Sequence, residues 1–117
     1  MIKRTPADLV PYDAPGHYGV VCKRYHGKAE TGAEKFWIGM SEFEPGGGAE
    51  YAYENSAQEK VYYVLEGEMT VADKDGNEYV IHAGESISFP PFEGRYLDNK
   101  SDKPAKMLVI INYPAAQ

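Results

Sequence analysis

Three observations predict an all-β fold: short β-prone runs follow one another along most of the chain, turn residues separate them, and no long stretch shows helical apolar periodicity. Residues 1–15, with Pro6, Pro11 and Pro15, read as an arm that lies along a sheet or crosses to another subunit. Residues 16–117 then form one barrel domain. Its first candidate strand is 18–25, around Tyr18, Val20 and Val21, and the next is 35–43, around Phe36, Trp37 and Ile38. Pro45-Gly46-Gly47-Gly48 ends that strand, since proline lacks a donor and glycine stays flexible. Runs at 60–65 and 69–72 follow. The Asp75-Gly76 pair inside residues 73–77 makes a tight hairpin to 78–81, because glycine accepts the positive φ of such a turn. Strand 86–89 stops at Pro90-Pro91, and 95–97 and 106–112 complete the set. Strands this short and close suit a closed barrel or two-sheet jelly roll, whose edges are paired or protected.

Size and charge narrow the function. The 117 residues suffice for one core. A net charge of −6 with no basic cluster excludes a phosphate-tracking surface, so no nucleic acid partner is expected. No apolar run approaches the roughly 20 residues that span a bilayer, and the start of the chain is polar. A cytoplasmic protein without a membrane partner is expected. The single cysteine, Cys22, rules out an internal disulfide framework and reads as a packed thiol within a strand.

Two spaced motifs carry a resemblance. Gly48 and Gly67 stand at the ends of one, which closes in Lys60-Val61-Tyr62-Tyr63-Val64-Leu65-Glu66-Gly67-Glu68. Gly84, Pro90 and Asn99 mark a second. Over residues 36–112 the chain resembles the cupin superfamily, specifically its small single-domain members. The resemblance implies a single-domain cupin-type β-barrel, or double-stranded jelly roll, and commonly a homodimer. It does not by itself imply one activity, since this barrel hosts oxygenases, decarboxylases, isomerases, epimerases and binding modules.

In most enzymes of that family, three histidines and a glutamate hold a divalent metal. The matching positions here are Glu54, Ser56, Lys60 and Arg95, and Phe92 replaces a glycine inside the second motif. Lysine and arginine bring positive charge and no lone pair, so no metal and no other cofactor is expected. His17, His26 and His82 lie outside the motif positions. A shifted register would leave Glu50, Tyr51, Tyr53 and Glu54 as an oxygen-rich alternative.

The resemblance implies that the motif positions face the interior, and strand alternation adds Tyr62 to Lys60 on one face. Glu54, Lys60, Tyr62 and Arg95 are the catalytic candidates, and Ser56, Tyr53, Lys60 and Arg95 the substrate-binding candidates. Two cations favour a small organic anion, an oxo or carboxylate compound, gripped by Arg95 with Lys60 as a point charge. Glu54 would act as base, Lys60 or Tyr62 would return the proton, and Arg95 would stabilise an enolate. That describes a metal-independent isomerase, epimerase, lyase or decarboxylase. Two alternatives stay open: a non-catalytic small-molecule binding or sensing protein, and a metal-dependent dioxygenase or decarboxylase with atypical ligands.

Overall fold

The computed structural model describes residues 1–114, so residues 115–117 of the expected domain lie outside the described part. After a short 3-10 turn at Pro6–Asp8, the strands are β1 (Pro11–Tyr12), β2 (His17–His26), β3 (Phe36–Tyr53), β4 (Lys60–Glu66), β5 (Glu68–Ala72), β6 (Glu78–His82), β7 (Ser86–Phe89), β8 (Gly94–Asp98) and β9 (Ala105–Asn112). One helical turn, α1 (Lys28–Thr31), sits between β2 and β3. The strands run β6-β5-β8-β3-β9-β4-β7, with β2 on the edge of β3 and β1 on β2. Every pairing is antiparallel, and the sheet curls into a nearly closed barrel. Among the described residues no helix is long and apolar enough to cross a membrane.

The predicted strands recur with ends moved by a residue or so, with one exception. The expected break at Pro45–Gly48 is absent. β3 continues through it, pairing with β9 over Phe36–Phe43 and with β8 from Gly48 onward. The glycines act here as a corner. A Cβ on Gly47 would run into the carbonyl of Gly19, and one on Gly48 into the carbonyl of Leu97, so only glycine lets these backbones approach. The strand thereby joins both sides of the barrel.

The Asp73–Asn77 hairpin forms as expected. Gly76 takes φ 85°, and Asp73 accepts bonds from the Asp75 and Asn77 backbones at 2.9 and 3.0 Å. The arm lies along β2, with Pro11 opposite Lys23 and Tyr12 opposite Cys22. Inward alternation builds a core from Phe43, Val64, Met69, Val71, Leu97 and Met107, all close to fully buried. Lys60 and Tyr62 of β4 face the same interior, next to Val109 and Ile111 of β9.

Candidate small-molecule site in the barrel

The barrel interior holds a cavity of about 220 Å³ whose polar wall includes Lys60, Tyr62 and Arg95. Arg95 lies on β8 and is only 4% exposed. Its Nε donates to the Tyr62 hydroxyl at 2.9 Å and its Nη1 to the Glu50 carbonyl at 3.0 Å. Both acceptors are neutral, and among the described residues Arg95 has no ion pair. Two of its five donors are thus used. No fully buried side-chain nitrogen or oxygen lacks a partner among the described residues, so Nη2, for which no hydrogen bond forms, keeps some accessible surface.

Tyr62 is held from its other side by Phe89, whose ring meets it edge-on at 5.0 Å. The Lys60 ammonium lies 5.6 Å from the centroid of the same Phe89 ring. Burial pushes the Lys60 pKa below its usual 10.5, the Arg95 charge pushes the same way, and Glu54 partly opposes both. An anion entering between Lys60 and Arg95 would relieve that mutual repulsion.

The other expected site residues stand elsewhere. Glu54 is exposed beyond the end of β3 and does not line the cavity, although its charge reaches Lys60. Ser56 caps its own turn, its Oγ accepting from the Gln58 backbone at 3.2 Å. Tyr53 is 53% exposed and lines a separate surface cleft with Tyr51 and Phe92. The convergence expected of Glu54 and Ser56 with Lys60 and Arg95 is therefore not seen. The physical reason is that β3 ends at Tyr53 and residues 54–59 leave the barrel before β4 begins.

Sequence reasoning passed over half of the wall. The arm contributes Tyr12 and Asp13, and β2 contributes His17 together with Cys22 and Arg24, which lie opposite Ser41 and Gly39. The Arg24 guanidinium is stacked 4.1 Å from the Tyr12 ring centroid and 4.7 Å from that of Trp37. Trp37 meets Tyr12 edge-on at 6.4 Å. Burial raises the Tyr12 pKa to about 12, with Cys22 adding to the effect. Burial also pushes the Cys22 thiol up, while Ser41 Oγ donates to its sulfur at 3.6 Å, so this cysteine is held as a thiol. Once the β2–β3 register sets Cys22 opposite Ser41 and Arg24 opposite Gly39, alternation from Cys22 and from Phe43 brings Arg24, Ser41 and Trp37 to the cavity face, a register the sequence alone did not supply.

The family's metal does not fit these residues. Two of the four positions that would ligate it are the cations Lys60 and Arg95, and a third, Glu54, lies outside the cavity. No cluster of three His, Cys, Asp or Glu side chains forms among the described residues. The histidines are dispersed. His17 Nδ1 lies 3.0 Å from the Pro15 carbonyl, His26 Nδ1 lies 3.3 Å from Thr31 Oγ1, and exposed His82 pairs with Glu85 at 2.9 Å. Glu50, Tyr51 and Tyr53 line the exposed end of β3 and gather no ligand set.

Phe92, which stands where the motif has glycine, takes a φ of 64°, a strained region for a bulky residue, and is 55% exposed.

Comparison with known proteins agrees with this geometry. The cupin domain family matches residues 39–111. A beta-D-galactosidase of Mycobacterium tuberculosis is 38% identical over 117 residues, covering 99% of this chain and 98% of that protein. Among solved structures, a cupin-superfamily sugar phosphate isomerase from Silicibacter pomeroyi is 25% identical with a TM-score of 0.70 over 81% of this chain. This chain spans only 60% of that protein. The polyketide cyclase of Streptomyces resistomycificus is alike in fold, at 24% identity and a TM-score of 0.80 over 96% of this chain and 80% of its own. With the family match spanning more than half of a chain folded as a nearly closed antiparallel β-barrel, the chain belongs to the cupin domain family.

Proposed function

We propose that this protein is an enzyme that binds a small organic anion, an oxo or carboxylate compound, in the barrel cavity and moves a proton on it without a metal ion. The observation that carries this reading is Arg95. A buried guanidinium bound only to a phenol and a carbonyl is a desolvated charge, and such a charge is costly unless an anion completes its surroundings. The remaining Arg95 donors match a carboxylate or enolate oxygen in parallel geometry.

Lys60 is the proton acceptor in this reading, because burial and the Arg95 charge both favour its neutral form. It takes a proton from the carbon next to the substrate carbonyl, and the electron pair moves onto the carbonyl oxygen facing Arg95. The Tyr62 hydroxyl, which accepts from Arg95, keeps its own proton for donation to the enolate at the adjacent centre. Glu54 acts from outside through its charge on Lys60. The likeness to a sugar phosphate isomerase supports this acid–base class. The test is exchange of the α-hydrogens of 2-oxo acids with deuterated water, followed by proton NMR. Exchange that survives chelator treatment and is lost in Lys60→Met supports the proposal. Binding without exchange would make the protein a carrier or sensor, and exchange that requires a stoichiometric metal would overturn the metal-free route.

A second reading, hydrolysis of β-D-galactosides, is favoured by the full-length relative at 38% identity. Such hydrolysis ordinarily uses two facing carboxyl groups. Among the described residues Asp13 is the one carboxylate of the cavity wall and Glu54 lies outside it, so this reading needs Glu54 to turn inward on substrate binding. Release of nitrophenol from nitrophenyl β-D-galactoside, abolished by Asp13→Asn and by Glu54→Gln, would establish this reading over the first.

A further inference from the structure

We infer that Arg24 is a second anion-binding group of the barrel cavity, so that the ligand carries two separated anionic groups, one held by Arg95 with Lys60 and the other by Arg24. This rests on the small-anion reading above and sharpens its substrate class. The cavity wall carries two permanently charged guanidiniums, Arg24 and Arg95, and the Lys60 amine, against the single carboxylate of Asp13. A ligand with two negative groups gives each guanidinium an anionic partner, whereas a monoanion leaves one of them without.

The geometry of Arg24 matches this role. Tyr12 and Trp37 hold its guanidinium in the corner between two perpendicular rings, so the N–H groups directed away from that corner remain for polar contacts. Among the described residues Arg24 has no ion pair and its side chain makes no hydrogen bond to another residue. It also borders a surface cleft carrying Asp8 and Glu30. The Asp8 carboxylate is engaged by the Thr5 backbone at 2.7 Å and the Thr5 hydroxyl at 3.1 Å, and neither acid pairs with Arg24. The two rings therefore restrict the guanidinium before a ligand arrives, which lowers the ordering cost of binding.

The test compares succinate with butyrate, which matches it in carbon count but has one carboxylate fewer, by NMR titration of the full chain. Inorganic phosphate serves as a compact dianion. Succinate is expected to bind at least about tenfold tighter than butyrate, the effect of one charge-assisted contact, and phosphate to bind no better than butyrate. Arg24→Met, which keeps an apolar stem against both rings, is expected to erase the succinate preference and leave butyrate unchanged. Arg24→Lys, which keeps a cation, is expected to retain part of it. Equal binding of succinate and butyrate by the wild-type protein, or a succinate preference that persists in folded Arg24→Met, would overturn this inference and leave the small-anion reading standing. Phosphate binding as tight as succinate would replace two separated groups with one doubly charged group. If none of the three binds, the small-anion reading fails and this inference fails with it.

Discussion

Arg95 and Asn99 lie four residues apart around the end of β8, both buried, and they show two opposite ways of placing polarity in a core. Asn99 is fully buried, and its amide donates to Lys103 at 2.8 Å and to Glu44 at 3.3 Å. Its Oδ1 accepts from the Ser101 hydroxyl at 2.7 Å and the Ser101 backbone at 3.1 Å. Its backbone also bonds Gly46 and Gly47 in both directions, tying the β3 corner to the turn. Arg95 lines the cavity, and among the described residues its guanidinium has two neutral partners and no anion. The difference sets two roles apart: a polar group whose bonds are all made inside the chain holds the fold, while one left incomplete has the donors that the proposed anion would use.

The sharpest way to break this contrast is at Asn99. Asn99→Ala is expected to destabilise the protein by about 3 kcal/mol, because it strands several buried backbone groups, and to leave anion affinity unchanged. Urea denaturation beside a ligand titration would show it. Arg95→Met should do the reverse. Loss of the paired donors is expected to weaken anion binding about 100-fold. Removal of a buried charge that has no internal anion should keep stability within about 1 kcal/mol of wild type. A large loss of stability in Arg95→Met would place Arg95 with Asn99 as a structural group.

Tyr62→Phe gives a smaller effect. The Arg95 Nε loses its acceptor, and binding is expected to fall about fivefold while proton exchange falls further, a separation that steady-state kinetics resolves. The smallest expected effect is a fraction of a proton. Lys60 titrates lower in the folded than in the unfolded chain, so the unfolded state holds this proton more tightly. Between the two pKa values stability therefore rises with pH. A bound anion pulls the Lys60 pKa back up. Binding at alkaline pH should take up protons, seen as a buffer-dependent heat in titration calorimetry that disappears in Lys60→Met.

Most of the architecture could be read from local chemistry. The Asp75-Gly76 turn, the Pro90-Pro91 stop and the alternation through Lys60 and Tyr62 each depend on residues a few positions apart. The β3 corner could not be read that way, because Gly47 and Gly48 look like a flexible break until Gly19 and Leu97 are packed against them. The site divides along the same line. Lys60, Tyr62 and Arg95 were legible from motif position and parity, and they do share one cavity. Glu54, Ser56 and Tyr53 were placed by counting along a segment that leaves the barrel, so the count did not follow the chain's path. Asp13, His17 and Arg24 depend on the pairing of β1 with β2 and of β2 with β3, a long-range register that no spacing in the sequence announces.

Trp37 is the chain's single tryptophan, and it stands in the cavity wall against Arg24 and Tyr12. All indole emission from the protein therefore originates beside the ligand space. A molecule that draws the Arg24 cation off the ring would change the intensity and colour of that light, giving an unlabelled optical screen for whatever fills the barrel.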